Sequence, residues 1–201
     1  FIVFCDFDDM ELPDHSTLCR FRQWLSNSGL MSILLKQINE QLESKHLKVS
    51  KAQTAVVDAR WIKKAGRFFL GYKLHASCDE SGYINELDIT PANRHETKHF
   101  EPLIRDLPDQ TRVLADKGYA SQANRDMLKE HRLRSGIMHK TTVGKTLNHW
   151  QKRANSMIKR KRYVIEQSFG ILKRRFNFYK ARYFGIQAVL GQAFLKVMAL
   201  H

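Results

Sequence analysis

The chain has little of what would mark a secreted, fibrous or membrane protein. Its 201 residues include three cysteines (Cys5, Cys19, Cys78), none in a CxxC pair, and the odd number leaves one thiol over. That argues against a disulfide framework or a structural zinc knuckle and suits a reducing cytoplasm. Four prolines and ten glycines are too few for a collagen-like or low-complexity polymer. No apolar run approaches the roughly 20 residues that span a bilayer, and no secretory signal is present. The sequence opens on Phe1 rather than Met, so an upstream piece is expected. Hydrophobic residues make up 43% of the chain, enough to bury a core in one ordinary domain with a small helical appendage.

Acids are scarce in one stretch above all. Residues 131–182 hold fifteen Lys and Arg and a single acid, Glu166, while the rest of the chain balances to zero. The whole formal charge of +14 therefore resides there. Such a block repels itself unless an anion neutralises it, and nucleic-acid phosphate is the ordinary partner. It lacks the long apolar faces of an amphipathic membrane helix, so no membrane contact is expected.

Periodicity divides the chain into two textures. Residues 14–48 read as two helices. The first is capped by Asp14 or Ser16 and runs through Leu18, Phe21, Trp24 and Leu25 to Asn27-Ser28-Gly29. The second has Leu30, Ile33, Leu34, Ile38 and Leu42 on one face. Strands follow: Thr54–Val57 ending on Asp58, then an alternating run over 67–76 with Lys73 and His75 on one face, and a turn at 79–82 into 83–90. A helix is expected from Glu96 to about Asp106, and a strand over 111–115 ending on Asp116. Further on, a helix over 121–130, a strand near 136–139 and a basic helix over 157–176 are expected. Strands joined by turns, then alternating with helices, predict an α/β fold, a mixed sheet flanked by helices.

Two aspartates, Asp58 and Asp116, directly follow short apolar strands. Either alone is ordinary turn chemistry. Glu166 adds weight, because Ile165, Phe169, Leu172 and Phe176 form a core-facing stripe and Arg162, Glu166 and Lys173 run along its border. Pairing with Arg162 at i−4 would explain Glu166 locally, but not why the one acid of the basic region lies there. Three carboxylates from two strand ends and a helix form an all-oxygen set suited to Mg2+. Two such ions can activate a hydroxyl and stabilise the departing oxygen of a phosphodiester.

A competing motif, His95-Glu96-Thr97-Lys98-His99, spells HExxH, the zincin pattern. Its context is wrong: Pro102 and Arg105 stand where a further Gly and His belong, and no glutamate lies at a suitable distance downstream. It reads as two exposed histidines at a helix start.

At these residues the sequence resembles insertion-sequence DDE transposases, closest to the IS-five group. The matching pieces are Leu12–Arg22 (LPDHSTLCRFR), Val57-Asp58-Ala59, Gly71–His75 (GYKLH), Pro91–His95 (PANRH), Ala115–Tyr119 (ADKGY), and Arg162-x3-Glu166-x2-Phe169-Gly170-x2-Lys173. In the helix motif Tyr-x2-Arg-x3-Glu-x6-Lys, Lys159 occupies the Tyr position. Separations of 58 and 50 residues between the three acids suit a compact ribonuclease-H-like domain without a long insertion. The resemblance implies that Asp58, Asp116 and Glu166 are catalytic and bind Mg2+, with Mn2+ substituting. It implies double-stranded DNA as partner, both element terminal repeats and target, handled by a homo-oligomer at the bacterial nucleoid. Lys73 and His75, on one face of the second strand, either reach the scissile phosphate or are polar residues on a half-covered sheet face; Lys117 and Tyr119 are expected on the substrate side, and Arg160, Lys161, Arg162, Lys173 and Arg174 on the DNA backbone. Residues 1–50 are expected to be a helical part of a DNA-binding or dimerising region, and 51–201 the catalytic domain. A domesticated, purely DNA-binding derivative would have lost one of the three carboxylates, and all three are present.

Overall fold

A computed structural model describes residues 14–48, 53–62, 71–142, 144 and 146–201. Cys5 and the expected strand residues 67–70 lie outside them. Helices α1 (His15–Asn27) and α2 (Leu30–Ser44) precede strands β1 (Thr54–Ile62), β2 (Tyr72–Cys78) and β3 (Ile84–Pro91). Then come β4 (Arg112–Ala115), α3 (Gln122–Glu130), β5 (Arg134–Ile137), α4 (His149–Arg175) and α5 (Ile186–Met198). The sheet order is β3-β2-β1-β4-β5. The first three strands are antiparallel neighbours, whereas β1, β4 and β5 run parallel. This is the mixed sheet flanked by helices that the sequence pattern predicts.

Strand alternation sends successive side chains to opposite faces, and both faces are covered. Val56, Leu74, Ala76 and Leu114 join a core with Ile165, Phe169 and Leu172 of α4 and with Val189, Ala193 and Val197 of α5. Val57, Val113 and Ala115 join a second core with Phe100, Leu103, Ile104, Tyr119 and Leu128. Each large aliphatic or aromatic side chain so buried contributes about 1.5–3 kcal/mol. By this alternation Asp58 follows Val56, and Asp116 follows Leu114, toward α4. Lys73 and His75 project to the other face.

The N-terminal helices pack onto this body. Asp14 caps α1 by accepting the Thr17 N–H at 2.7 Å. An ideal Cβ on Gly191 would lie 1.9 Å from Ser26 Oγ, so glycine is what lets α1 and α5 approach there. The buried face of α2 is Met31, Leu35 and Asn39, not the expected stripe; Ile33 and Leu34 are exposed. The helix is rotated because Asn39 donates to the Ile84 carbonyl at 3.1 Å, docking that face on β3.

Three other expectations are corrected. Residues 96–106 form two 3-10 turns, Glu96–Lys98 and Glu101–Leu103, instead of one helix. Pro102 has no N–H to donate backward and its ring would clash with a preceding helical turn. β1 runs on past Asp58 to Ile62, since β2 pairs with it as far as Ile62↔Tyr72. And α4 begins at His149, eight residues before the expected start, on an Asn148/Gln151 capping box. Among the described residues no helix is long and apolar enough to cross a membrane.

Candidate active site

The site forms where β1 and β4 cease to pair. Their last parallel partners are Val57 and Ala115, so the next residues, Asp58 and Asp116, stand side by side. α4 crosses above them and inserts Arg162, whose side chain is only 6% exposed. Its Nη2 is 2.9 Å from Asp58 Oδ1 and its Nη1 is 3.6 Å from Asp116 Oδ1. One guanidinium thus bridges the two aspartates. Asp58 Oδ1 also accepts the Ala59 N–H at 2.9 Å. Burial pushes the Asp58 carboxyl up to about 6; Arg162 and that N–H oppose the rise, while Asp116 and Glu166 add to it. Asp116 caps the following 3-10 turn Lys117–Tyr119 without a side-chain hydrogen bond to it.

Glu166 lies one helical turn beyond Arg162. It is exposed instead of bordering the core as expected, since Ile165 and Phe169 take the buried stripe. Its charge is nonetheless felt at Asp58. Among the described residues no three His, Cys, Asp or Glu side chains are grouped to hold a metal ion. The donor chemistry still fits a hard cation: two adjacent carboxylates hold a cationic group between them, and a third carboxylate lies on the helix that supplies it.

Of the expected DNA contacts, Lys117, Arg160, Lys161, Lys173 and Arg174 are exposed. Arg162 is turned inward onto the aspartates. Lys73 and His75 take the second of their two expected places, on a covered sheet face, and Tyr119 is buried with them. His75 is 0% exposed, with Nδ1 3.0 Å from the Tyr119 hydroxyl and Nε2 2.9 Å from Thr90 Oγ1. Burial lowers its pKa to about 3, so it stays neutral, and burial raises Tyr119 well above the usual range. Lys73 Nζ pairs with Glu96 Oε1 at 3.3 Å and donates to the Arg94 carbonyl at 3.1 Å. These three face a covered side of the sheet, so they present no surface to a phosphate.

The HExxH histidines do not share a helical face. His95 is extended at the start of the first turn and bonds to Thr97, while His99 Nδ1 lies 3.3 Å from Asp88 Oδ2. That removes the zincin reading. Glu96 of the same segment is a residue the sequence reading missed: it rests against Gly118, beside Asp116. The available signal was Gly118 itself, a glycine two residues past a strand-end aspartate; its φ is not positive, so close approach of Glu96 is what it serves.

The family model for the transposase DDE domain matches residues 42–201. A transposase for insertion sequence element IS1106, from Neisseria meningitidis serogroup B, is 43% identical over 216 aligned positions, covering 90% of this chain and 75% of that protein. Among solved structures, one chain of a simian T-cell lymphotropic virus intasome complexed with PP2A regulatory subunit B56 gamma aligns with 75% of this chain at TM-score 0.46 and 12% identity. This chain covers 48% of that one. The catalytic domain of Mos1 mariner transposase aligns over 95% of this chain and 92% of its own at TM-score 0.35 and 15% identity. With its family match spanning the strands that carry both aspartates and the helix that carries Arg162 and Glu166, the chain belongs to the transposase DDE-domain family.

Proposed function

We propose that this protein is a DNA transposase that cleaves and transfers strands at the ends of an insertion element, with Asp58, Asp116 and Glu166 as its catalytic carboxylates. The observation that carries the reading is the pair of aspartates just past the last parallel partners of β1 and β4, drawn together by Arg162. These three residues would hold two divalent cations, Mg2+ with Mn2+ as substitute. When bound, such ions supply a deprotonated water or 3′-hydroxyl and neutralise charge on the departing oxygen.

The chain's own groups do the rest. Arg162 keeps the two aspartates close despite their mutual repulsion, and its buried stem fixes the register between α4 and the sheet. Lys117, next to Asp116, and the exposed Lys173 and Arg174 of α4 bind backbone phosphates near the site. Arg160 and Lys161 extend that surface along α4. Because phosphate contacts position DNA without reading its sequence, these bases set affinity and orientation, not element choice. The protein acts as a homo-oligomer on DNA at the bacterial nucleoid, bringing two ends together.

The experiment is a strand-cleavage assay with the full-length protein on DNA spanning an element end. Cleavage is expected with Mg2+ or Mn2+, and none with a chelator. Cleavage that persists in excess chelator would overturn the reading.

A further inference from the structure

The turn that presents Asp116 is held from β2 by two separate ties. Residues 117–119 close it through the Tyr119 N–H to the Asp116 carbonyl at 3.0 Å and the Ala120 N–H to the Lys117 carbonyl at 3.2 Å. The first tie is His75 of β2, bonded to the Tyr119 hydroxyl. The second runs through Glu96. Its Oε1 is fastened by Lys73 of β2, while its Oε2 would lie 1.9 Å from an ideal Cβ on Gly118. Only the missing side chain of Gly118 lets the carboxylate lie against that backbone. Lys73 and His75 stand opposite Trp61 and Ala59 of β1, the strand that bears Asp58. The turn behind Asp116 is therefore referenced to the strand of Asp58.

Asp116 needs such support. Its carboxylate makes no cap hydrogen bond to its own turn, and Arg162 holds it only at 3.6 Å, so the placement of its backbone shares in directing it. We propose that Glu96 is a positioning residue of the proposed metal site, acting through Gly118 to hold Asp116 toward Asp58, where the two carboxylates would bind a divalent cation. The proposal rests on the reading of Asp116 as a metal ligand. Groups behind the ligands commonly change metal affinity or activity by about 10–100-fold.

The test uses the full-length protein with Mn2+ alone as probe, followed by calorimetry, together with hydrogen exchange at the Tyr119 and Ala120 amides, melting temperature and DNA affinity. Glu96→Gln keeps the volume but removes the charge held by Lys73. It is expected to weaken Mn2+ binding at least about tenfold and to speed exchange at both amides, with DNA affinity unchanged. Gly118→Ala places a methyl group where the carboxylate rests and is expected to give the same loss. Adding Gly118→Ala to Glu96→Ala is expected to cost little more than Glu96→Ala alone, because the methyl enters vacated space; contacting residues are non-additive in this way.

Wild-type Mn2+ affinity and amide exchange in Glu96→Gln would overturn the proposal. So would full additivity of Gly118→Ala and Glu96→Ala. Asp116→Asn separates the two levels of the argument. If it loses Mn2+ while Glu96→Gln does not, only the positioning role falls. If Asp116→Asn binds Mn2+ as tightly as the unaltered protein, or the unaltered protein takes up none, the ligand reading falls and the positioning role with it.

Discussion

Carboxylates gather at both ends of the central strands, yet they are held in opposite ways. Where β1 and β4 part, Asp58 and Asp116 are bridged by the side chain of Arg162, and Asp116 remains 38% exposed. Where β2 turns into β3, Asp79 is 1% exposed and accepts the N–H groups of Ser81 and Tyr83 at 2.9 and 3.0 Å. Lys48, itself buried, lies 3.4 Å from Glu43 and 4.0 Å from Asp79. Glu86 and Asp106 line the adjoining cavity of about 250 Å³. Asp79, fully buried and closed by two backbone N–H groups, is part of the fold. Asp58 and Asp116, bridged by an arginine side chain just past the last parallel pair of β1 and β4, keep more of their carboxylates open to a ligand.

The comparison breaks first at activity. Asp58→Asn or Asp116→Asn is expected to lower strand cleavage about 10²- to 10⁴-fold, since metal charge stabilisation is worth several kcal/mol and each 1.36 kcal/mol is tenfold. DNA binding, measured by fluorescence anisotropy, should hold or tighten as a charge that repels phosphate is removed. Asp79→Ala should do the reverse. Leaving the Ser81 and Tyr83 N–H groups without their acceptor costs about 2–4 kcal/mol, read as a melting temperature lower by roughly 5–15 °C. Cleavage per folded molecule should not change. Equal activity losses at Asp58 and Asp79 would erase the distinction.

Much of this was legible locally, and the failures have physical causes. Asp116 was readable because a short apolar strand stops at it, and the Asp14 cap because capping is a property of a few consecutive residues. Asp58 was taken as a strand end because β1's last residues are extended by pairing with β2, a partner distant in sequence. Lys73 and His75 alternate with apolar neighbours as a half-exposed strand would, but the second core covers their face too. Arg162 has an acid at i+4, so the sequence pairs it with Glu166; its partners are instead Asp58 and Asp116, over a hundred and about forty-six positions away. Pro102 was visible, and its veto on a helix through 96–106 was available from the start.

Smaller effects sharpen the contrast. Replacing Arg160, Lys161 and Arg174 by Ala together should weaken binding to all DNA sequences alike. The slope of log affinity against log salt should flatten by up to about 3, near 0.9 per phosphate released. An unchanged slope would make this face a solvated surface only.

The two ends should also differ in their response to pH, followed by thermal melts. His75 has its pKa lowered to about 3 by burial, so the stability it contributes is present above its ordinary 6.5 and is lost as pH falls toward 3. Glu86 is raised to about 7 by burial and by Asp106, so its contribution is present below its ordinary 4.5 and is lost as pH rises through 7. His75→Gln should flatten the acid side of the stability profile. Glu86→Gln should raise the melting temperature slightly at pH 8 and not at pH 4. Identical profiles for both variants would show that neither burial matters.

Glu166 offers the most direct test of the central claim, that three carboxylates of this fold act as one metal-dependent site. It is the exposed member, so Glu166→Gln leaves the core, the Arg162 bridge and the fold in place while removing one charge. The measurement is cleavage of element-end DNA by the full-length Glu166→Gln protein across a Mg2+ and Mn2+ titration, beside the unaltered protein. The account predicts binding to DNA with almost complete loss of cleavage at every ion concentration. Cleavage equal to that of the unaltered protein would contradict it.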